Sequence, residues 1–404
     1  MLEIGVIGLG KLGLPLAAVF AEQGHTVRGF DENVELIRML QEQKFETPEP
    51  ELERLIQENG DRLSLSGDIH ILKNCKIVYV IVPTSSSDSG WFDSSALEKA
   101  LENVSDCWDE SPERRSIVIV STVMPTTCRN ILSPIISKRS KLHNVDVIYS
   151  PEFIALGSVI SNLKNPDMIL VGARDSEAAQ IHLLLQKQLT GGKPIALLSL
   201  EEAELSKLLV NAFVTMKISF ANTIAELAEG LGIDDPNRVA SAIGMDTRIG
   251  HKYLRPGFGF AGPCFPRDNF AVRALGEKLN IDPILSHAVD VVNLRQPWRI
   301  KNSLLKEYQN TNKIGIFGVT YKPHSAITEE SQSLKLAMEF IAEGIEVLLY
   351  DPLISELPST SECRLVNSIE DLTCADLVVV SYAFSESYPV QVSFLASKTV
   401  VRVI

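Results

Sequence analysis

The sequence predicts an α/β protein in which two doubly wound sheets lie on either side of a helical middle section. Three observations support this. Buried strands alternate with helices up to about residue 200, no clear strand follows until about 305, and the alternation returns at Lys313. Strands that alternate with helices are typical of a parallel sheet with helices on both faces. We therefore place domain boundaries at 1–196, 197–305 and 306–404.

The first strand–helix–strand unit carries a glycine pattern. An apolar strand at 2–7 is followed by Gly8-Leu-Gly10-Lys-Leu-Gly13, a helix at about 14–24, and a strand at 26–30 that ends at Asp31. The glycines allow a pyrophosphate to approach a helix N-terminus, and Asp31 can accept hydrogen bonds from ribose hydroxyls. Because a carboxylate repels a 2′-phosphate, this Rossmann unit predicts NAD rather than NADP. A glycine-rich turn without a ligand is the alternative.

The remaining elements follow from apolar patterning. Further strands of the first sheet are predicted at 77–82, 116–121, 146–149 and 168–172. The middle section is predicted as a long helix at 201–230, more helix to about 245, and a helix at 269–305. The second sheet is predicted from strands at 314–318, 346–350, 377–380 and 399–403, with a helix at 331–343. Since it lacks Gly-x-Gly-x-x-Gly, we do not expect it to hold a dinucleotide in the same way.

Composition excludes several classes of protein. The 404 residues are 45% hydrophobic and carry a net charge of −13, which argues against nucleic acid and anionic membranes as partners. The six cysteines form no Cys-x-x-Cys pair and the seven histidines no cluster, so we expect no disulfide framework and no metal site. The chain opens directly into a strand, and we find no apolar run of about 18 residues. These features predict a soluble cytoplasmic protein.

One cysteine lies in a segment rich in glycine and proline. The segment reads Gly257-Phe-Gly-Phe-Ala-Gly-Pro-Cys264-Phe-Pro-Arg267-Asp268. Glycines permit positive φ angles and the close approach of a ligand, and a thiol near cations is shifted toward the thiolate. The segment therefore indicates a nucleophilic cysteine. A turn that holds a small buried cysteine is the alternative.

Other polar residues also stand where a site could form. Glu204, Lys207 and Asn211 have the spacing of one helix face, although a solvated Glu–Lys pair has the same spacing. Ser121-Thr122 ends one predicted strand and Ser150-Pro151-Glu152 follows another, at the edge where open parallel sheets bind ligands. Helix caps and turns use the same residue types, so that interpretation stays open.

Over essentially its whole length, the chain resembles the nucleotide-sugar dehydrogenases of the UDP-glucose/GDP-mannose 6-dehydrogenase family. The segments that carry the resemblance are Gly8-Leu-Gly10-Lys-Leu-Gly13-Leu-Pro, Val82-Pro-Thr84 with Gly90 and Asp93, Ser121-Thr-Val, Ser150-Pro-Glu152-Phe, Asn165-Pro-Asp167, Glu204-x-x-Lys207-x-x-x-Asn211, Lys217-Ile-Ser-Phe-x-Asn222, Ile243-Gly-Met-Asp246-x-Arg248-Ile-Gly250, the Cys264 segment and Gly318-x-x-Tyr-Lys322-Pro.

The resemblance implies an NAD-binding Rossmann domain, a helical dimer-forming centre that holds the Cys264 segment, and a C-terminal nucleotide-sugar-binding domain. It implies a four-electron oxidation of a sugar C6 alcohol to a carboxylate, with two NAD reduced per turnover. Cys264 would form a thiohemiacetal and then a thioester, which water hydrolyses. UDP-glucose, oxidised to UDP-glucuronate for polysaccharide biosynthesis, is the favoured substrate.

Residue roles also follow from the resemblance. Lys207 would stabilise the oxyanion with support from Asn211, Asp268 and Thr122 would hold the water, and Glu152 would act as the base. The implied cofactor contacts are Gly8, Gly10, Leu12, Gly13, Asp31, Pro83, Thr84, Thr122 and Arg267. The implied substrate contacts are Glu152, Phe153, Leu156, Lys207, Asn211, Arg248 from a neighbouring subunit, Tyr253, Leu254, Gly257, Gly259 and Lys322.

Three positions depart from the family pattern. Leu156 stands where the family usually has an acidic residue, Ser150 where it has asparagine, and Glu329 where it has an arginine near NAD. These departures leave the catalytic set intact, but they leave UDP-N-acetylhexosamine and GDP-mannose open as substrates. A two-electron hydroxyacid dehydrogenase would need no cysteine, so the Cys264 segment counts against that alternative. A non-catalytic nucleotide-sugar sensor is the remaining alternative, and it would show the loss of catalytic groups.

Overall fold

The chain forms two structural units. The computed structural model describes residues 1–42, 44–108, 113–139, 144–357 and 363–404. Within these residues the chain divides into Met1–Leu208 and Leu209–Ile404. The first unit contains a large, mostly parallel sheet, and the second contains helices and a smaller parallel sheet. The predicted fold class is therefore confirmed. The three domain boundaries stay a prediction.

A mostly parallel sheet forms the core of the first unit. Its strands among the described residues are β1 (Glu3–Ile7), β2 (Thr26–Phe30), β3 (Leu63–Ser66), β4 (Ile77–Val80), β5 (Arg115–Ile119), β6 (Val145–Tyr149), β7 (Ile169–Gly172) and β8 (Ile195–Leu198). Their order is β3-β2-β1-β4-β5-β6-β7-β8, and β6 and β7 are antiparallel. The sequence analysis missed β3 and β8. Both lie at the edges and have half-buried or exposed residues, so they lack the continuous apolar pattern of central strands.

Helices cover the two faces of this sheet. They are α1 (Gly13–Glu22), α2 (Val34–Gln41), α3 (Leu52–Glu58), α4 (Ser95–Cys107), α5 (Ser133–Arg139), α6 (Val159–Lys164) and α7 (Gln180–Thr190). A π-helical turn at Cys128–Leu132 leads into α5. Helix α1 packs closely on the sheet because its residues Gly13–Ala21 are all buried. The carboxyl ends of parallel strands meet at one edge, so the residues that follow β1, β2, β4, β5 and β6 lie along that edge.

A 31-residue helix, α8 (Leu200–Gly230), begins in the first unit and continues into the second. Contrary to expectation, α8 contains one 18-residue stretch with a mean hydropathy of 1.4, long and apolar enough to cross a membrane. Core helices of soluble proteins meet the same criterion. In the first unit, α8 buries Glu204 and Lys207, which bond to backbone groups there. The first turns of α8 therefore have the environment of a core helix, and 39% of the apolar stretch is buried.

The second unit combines helices with a small sheet. Its remaining helices are α9 (Pro236–Gly244), α10 (Phe265–Leu279), α11 (Ile284–Glu307), α12 (Gln332–Ala342), α13 (Tyr382–Ser387) and α14 (Pro389–Ala396). Its strands are β9 (Lys313–Phe317), β10 (Glu346–Tyr350), β11 (Arg364–Leu365), β12 (Leu377–Val380) and β13 (Val400–Val403), in the order β11-β10-β9-β12-β13 and all parallel. The two-residue strand β11 was not predicted.

The predicted helix at 269–305 is wrong in one respect, because it consists of α10 and α11. Helix α10 ends at Leu279 and is followed by Asn280, whose φ of 54° is left-handed, and Pro283 precedes the first residue of α11. Asparagine is one of the few residues that tolerate this conformation, and Pro283 has no N–H with which to bond back into α10. Helix α10 also begins four residues earlier than predicted, directly after Cys264.

Candidate active site

The glycine-rich turn after β1 forms an open cradle. A Cβ atom on Gly8 would lie 2.0 Å from the Ile81 carbonyl oxygen, and one on Gly13 would lie 1.8 Å from the Gly8 oxygen. These two glycines are therefore required by the protein's own packing. A Cβ on Gly10 would meet nothing within 4 Å, so that position faces open space. Half-buried Leu12 stands at the start of α1, which has no side-chain cap, so its first N–H groups can face an anion.

Asp31 holds the same turn in place. Its Oδ2 accepts a hydrogen bond of 2.7 Å from the Leu9 amide, and its Oδ1 accepts one of 2.8 Å from the Asn33 amide. Each carboxylate oxygen retains a further lone pair. The residues of this turn therefore fit an adenosine ribose and a pyrophosphate, as the sequence predicts for NAD.

We expect Asp31 to select NADH over NADPH. At intermediate dielectric, a 2′-phosphate a few ångströms from a carboxylate costs about 1–4 kcal/mol, which corresponds to roughly tenfold to a thousandfold in Kd. Asp31→Asn should lower the ratio of the Kd for NADPH to the Kd for NADH, both measured by calorimetry. Glu32→Gln, which removes the neighbouring exposed carboxylate, should leave the ratio unchanged. Equal Kd values in the unmodified protein would refute this role.

The aligned ends of β4 and β5 are joined by side-chain hydrogen bonds. The Ser121 hydroxyl donates to the Val82 carbonyl at 2.7 Å and accepts from the Val82 amide at 3.0 Å. The Thr84 hydroxyl donates to the Thr122 carbonyl at 2.7 Å. Thr84 is buried and Thr122 is half-buried, while Pro83, directly before Thr84, is exposed. Ser121 therefore has a structural role, and the two predicted cofactor-contacting segments form one hydrogen-bonded surface.

In the second sheet, the aspartate at the position that corresponds to Asp31 has a different environment. Asp351 follows β10 as Asp31 follows β2, but it is 3% exposed. Its Oδ2 accepts from the Val319 amide and from both the amide and the hydroxyl of Thr320, and its Oδ1 accepts from Leu353. Hydrogen bonds from the protein therefore saturate Oδ2 of Asp351, whereas each carboxylate oxygen of Asp31 accepts one such bond.

Lys207, which is buried, and Glu152, which is half-buried, lie close together in the first unit. The Lys207 ammonium donates to the Glu152 carbonyl at 2.7 Å and lies 4.2 Å from the centre of the Phe153 ring. Burial raises the pKa of the Glu152 carboxyl to about 7, although the charge of Lys207 partly opposes this shift. A carboxyl group that titrates near neutral pH is suited to act as a general base. Leu156, four residues along, packs against the first-unit core.

Glu204 does not form the solvated pair that the helix periodicity also allowed. Its side chain is fully buried, and its two oxygens accept hydrogen bonds from the Thr126 and Cys128 amides at 2.6 and 2.7 Å. Lys207 is 7% exposed. Both charged residues of this helix segment are therefore internal, which periodicity could not show.

In the second unit, Cys264 is exposed and precedes the first residue of α10. The alternative of a buried structural cysteine is therefore wrong. The amino end of a helix carries partial positive charge, which stabilises an anion such as a thiolate. The Asp268 amide donates to the Cys264 carbonyl at 2.8 Å, which places these residues on consecutive turns of the backbone.

Asp268 organises the polar residues next to Cys264. It is fully buried, and its Oδ2 accepts a hydrogen bond of 2.6 Å from the Asn211 amide group. Its Oδ1 accepts from Arg267 Nε at 3.0 Å. The structure thus brings together three of the predicted residues, which lie up to 57 positions apart in sequence. Arg267 contacts Asp268, and its predicted cofactor contact stays a prediction.

Two asparagines hold the glycine-rich segment before Cys264. A Cβ on Gly259 would lie 2.0 Å from Asn293 Oδ1, which accepts from the Phe260 amide, and Asn222 Oδ1 accepts from the Gly257 amide at 2.9 Å. Gly257 has a φ of 150°. The sequence analysis named Asn222 only as part of a motif and missed Asn293. A buried asparagine on an otherwise amphipathic helix gives no signal of its partner.

The other predicted substrate contacts lie in different environments. Leu254 is buried in a small apolar cluster, and Tyr253 is exposed with a left-handed φ of 62°. Arg248 is 87% exposed and bonds to Asp246. Lys322 is half-buried and lies 5.6 Å from the Tyr321 ring. Among the described residues, no group of three or more His, Cys, Asp or Glu side chains is placed to hold a metal ion.

Three family domains match the chain in order. Residues 2–190 match the NAD binding domain of the UDP-glucose/GDP-mannose dehydrogenase family, residues 201–295 its central domain, and residues 315–395 its UDP binding domain. The chain is 30% identical over 364 residues to the UDP-glucose 6-dehydrogenase AglM of Haloferax volcanii, which covers 88% of this chain and 84% of that protein.

Solved structures give the same result. A UDP-glucose dehydrogenase from Pyrobaculum islandicum superposes with a TM-score of 0.85 at 30% identity, covering 94% of this chain and 89% of that one. A UDP-D-ManNAc dehydrogenase from Pyrococcus horikoshii gives a TM-score of 0.77 at 26% identity, with 94% and 88% covered. By its three domains, its NAD-binding turn and these relatives, the chain belongs to the UDP-glucose/GDP-mannose dehydrogenase family of NAD-dependent nucleotide-sugar 6-dehydrogenases.

Proposed function

We propose that this protein oxidises the C6 alcohol of a UDP-hexose to the uronic acid, and that UDP-glucose is its substrate. The observation that carries the proposal is the exposed Cys264 at the start of α10, beside the buried Asp268–Asn211 pair. A dehydrogenase that stops at the aldehyde has no use for a thiol in this position. Oxidation to the acid needs a covalent intermediate from which a second hydride can leave.

The proposed reaction balances in three stages. The C6 alcohol loses a hydride and its hydroxyl proton to become an aldehyde, and bound NAD supplies the hydride acceptor. The Cys264 thiolate then adds to the aldehyde carbon to give a thiohemiacetal, and this carbon transfers a second hydride to a second NAD, which replaces the first NADH, so that a thioester remains. Water cleaves the thioester, releasing the carboxylate and the thiol. Two NADH therefore form for each sugar consumed.

The proposal gives each of the predicted site residues a task. Lys207 carries a positive charge that can stabilise the negative oxygen formed at C6, with Asn211 as a further donor. Asp268 and Thr122 hold the hydrolytic water, and Glu152 removes its proton. Lys322 provides a point charge for the diphosphate.

Glu152 should make hydrolysis depend on pH. A general base acts in its ionised form, so its contribution is present above its pKa of about 7 and is lost as the pH falls through that value. Thioester hydrolysis should therefore fall about tenfold per pH unit below about 6.5 and level off above 7.5. Single-turnover acid release measured from pH 5.5 to 8.5 checks this. Glu152→Gln should remove the dependence and accumulate the covalent intermediate, detectable by mass spectrometry of the intact protein.

We further propose that the protein works as a dimer in which Arg248 serves the neighbouring subunit. The second unit exposes an unusual set of large apolar side chains on α8 and α11, including Phe213, Phe220, Leu294 and Trp298. Surfaces of this kind commonly mark protein–protein contacts. Arg248 is 87% exposed and is bonded to Asp246, so its side chain is accessible to a neighbouring subunit.

Mixing two inactive variants tests the shared site. Arg248→Ala and Cys264→Ala homodimers should each be inactive, whereas a heterodimer contains one site with both residues and should regain up to about half the activity per dimer. Differentially tagged subunits, purified as heterodimers, allow the measurement. A monomer in sedimentation velocity, or heterodimers without activity, would contradict the shared site.

The substrate is tested by comparing kcat/KM for UDP-glucose, UDP-GlcNAc, UDP-ManNAc and GDP-mannose at saturating NAD. We expect UDP-glucose to give the highest value. Leu156, which replaces a usually acidic residue, makes a UDP-N-acetylhexosamine the second candidate because it leaves that region less polar. A preference for GDP-mannose would overturn the proposal, and the absence of turnover for all four would favour a nucleotide-sugar-binding protein without this activity.

A further inference from the structure

We propose that Glu204 is a positioning residue that fixes the turn after Thr122 in the conformation needed for NAD binding, and that it ties this turn to the helix that carries Lys207. The inference rests on the proposed contact between Thr122 and NAD. All of the groups involved lie in the first unit.

The carboxylate of Glu204 is used entirely within the protein. Its Oε2 accepts the Thr126 amide at 2.6 Å and its Oε1 accepts the Cys128 amide at 2.7 Å, while the side chain is fully buried. Thr126 lies in the short connection between β5 and the π-helical turn, and Cys128 is the first residue of that turn. A buried carboxylate is costly unless its oxygens are bonded, so these two amides account for its presence here.

The connection needs such a support because Thr126 is strained. Its φ is 78°, a left-handed value that is a genuine outlier for a β-branched residue. Strained backbone persists only where surrounding groups hold it. The Thr126 amide points at the carboxylate in this conformation, so Glu204 stabilises the strained form directly.

The strained residue is close in sequence to the predicted cofactor surface. Thr122 lies four positions before Thr126, and its carbonyl accepts the Thr84 hydroxyl at 2.7 Å. A shift of the turn at Thr126 therefore has four residues of backbone to cross before it reaches Thr122, and one further hydrogen bond before it reaches Thr84. On the other side, Glu204 is three residues before Lys207, whose ammonium is bonded to the Glu152 carbonyl at 2.7 Å. One side chain thus links the cofactor turn with the helix of the catalytic lysine.

The substitution Glu204→Gln tests the inference. Glutamine keeps one acceptor oxygen and directs an NH₂ group at a backbone N–H, so one of the two bonds becomes a clash between donors. We expect the Kd for NADH to rise about tenfold, while the Kd for UDP, which reports on the C-terminal domain, stays within about twofold. Glu204→Asp, which keeps the charge but is one methylene shorter, should give an intermediate loss, and it replaces Glu204→Gln if that variant does not fold.

Glu201→Gln is the matched control. Glu201 lies one turn earlier on the same helix and pairs with Arg129 of the same π-helical turn, but the contact is at the surface. It should leave both Kd values unchanged. If Glu201→Gln weakens NADH binding as much as Glu204→Gln does, a general loosening of the packing between α8 and the π-helical turn explains the result. The inference is then refuted. An unchanged Kd for NADH in the Glu204→Gln protein would also refute the inference.

A rescue variant separates positioning from a general structural role. Thr126→Gly removes the Cβ responsible for the strain, so the turn should keep its conformation with less support. The double variant Glu204→Gln/Thr126→Gly should bind NADH more tightly than Glu204→Gln alone, and a double variant that is no better contradicts the inference. If Thr122→Ala leaves the NADH Kd unchanged while Glu204→Gln raises it, the positioning role of Glu204 is supported. Only the proposed contact between the Thr122 side chain and NAD is then contradicted.

Discussion

Replacing Cys264 with serine should abolish acid formation while leaving a folded protein that still binds NADH and UDP. An ester forms less readily from serine than a thioester from a thiolate, and it hydrolyses more slowly. We expect the rate of acid production to fall by roughly 10⁴-fold or more, the scale seen when a covalent nucleophile is removed. The loss reflects chemistry rather than stability, because Cys264 is exposed and makes no large contribution to a core.

Product analysis makes the test decisive. The unmodified protein should produce two NADH per sugar consumed, measured by absorbance together with chromatography of the acid. Cys374→Ser is a matched control, because Cys374 is also an exposed cysteine of the second unit but is not part of the Cys264 segment. One NADH per sugar, or normal acid output from Cys264→Ala, would rule out the covalent mechanism.

Lys207→Met should give the second-largest effect. Methionine approximately preserves the volume of the side chain but removes the charge that, in the proposed mechanism, stabilises the negative oxygen at C6. Removal of one such electrostatic donor lowers kcat by about 10²- to 10³-fold. The Kd for NADH should change little, because Lys207 bonds to the Glu152 carbonyl and lies over the Phe153 ring rather than against the glycine-rich turn.

Lys207→Arg sharpens this experiment. Arginine keeps the positive charge but carries it on a longer, planar group, which the buried position beside Phe153 cannot accept without movement. We expect activity between that of Lys207→Met and the unmodified protein. If Lys207→Met retained kcat within about threefold, the charge would not act on the developing oxyanion and the proposed role would be wrong.

The sequence alone predicted the features that depend on neighbours in the chain. Gly8 and Gly10 follow a strand, Gly13 begins a helix, and Asp31 directly follows the next strand, so the spacing itself specifies the turn and its carboxylate. The fold class followed in the same way, because apolar runs of strand length alternate with helical ones. The weak edge strands β3 and β8 escaped prediction since an edge has no need of residues that are apolar on both faces.

The Cys264 segment was also visible in the sequence, but its environment was not. Its glycines and prolines indicated a constrained backbone, yet they were equally compatible with a buried structural thiol. Only the fold shows that Cys264 is exposed at the start of a helix and that Asp268 is buried against Asn211. Asn211 and Asp268 lie 57 positions apart and meet because the chain folds back. No local sequence pattern indicates which helices pack against each other.

Glu204 shows the same limit most clearly. Helical periodicity placed it on one face with Lys207, and that spacing fits a solvated ion pair as well as a buried site. The tertiary structure decides between them, because the connection after β5 supplies two amides to the carboxylate and excludes water from it. Periodicity determines the direction in which a side chain points. The free energy of a buried charge depends on the groups that pack around it, and those come from distant parts of the chain.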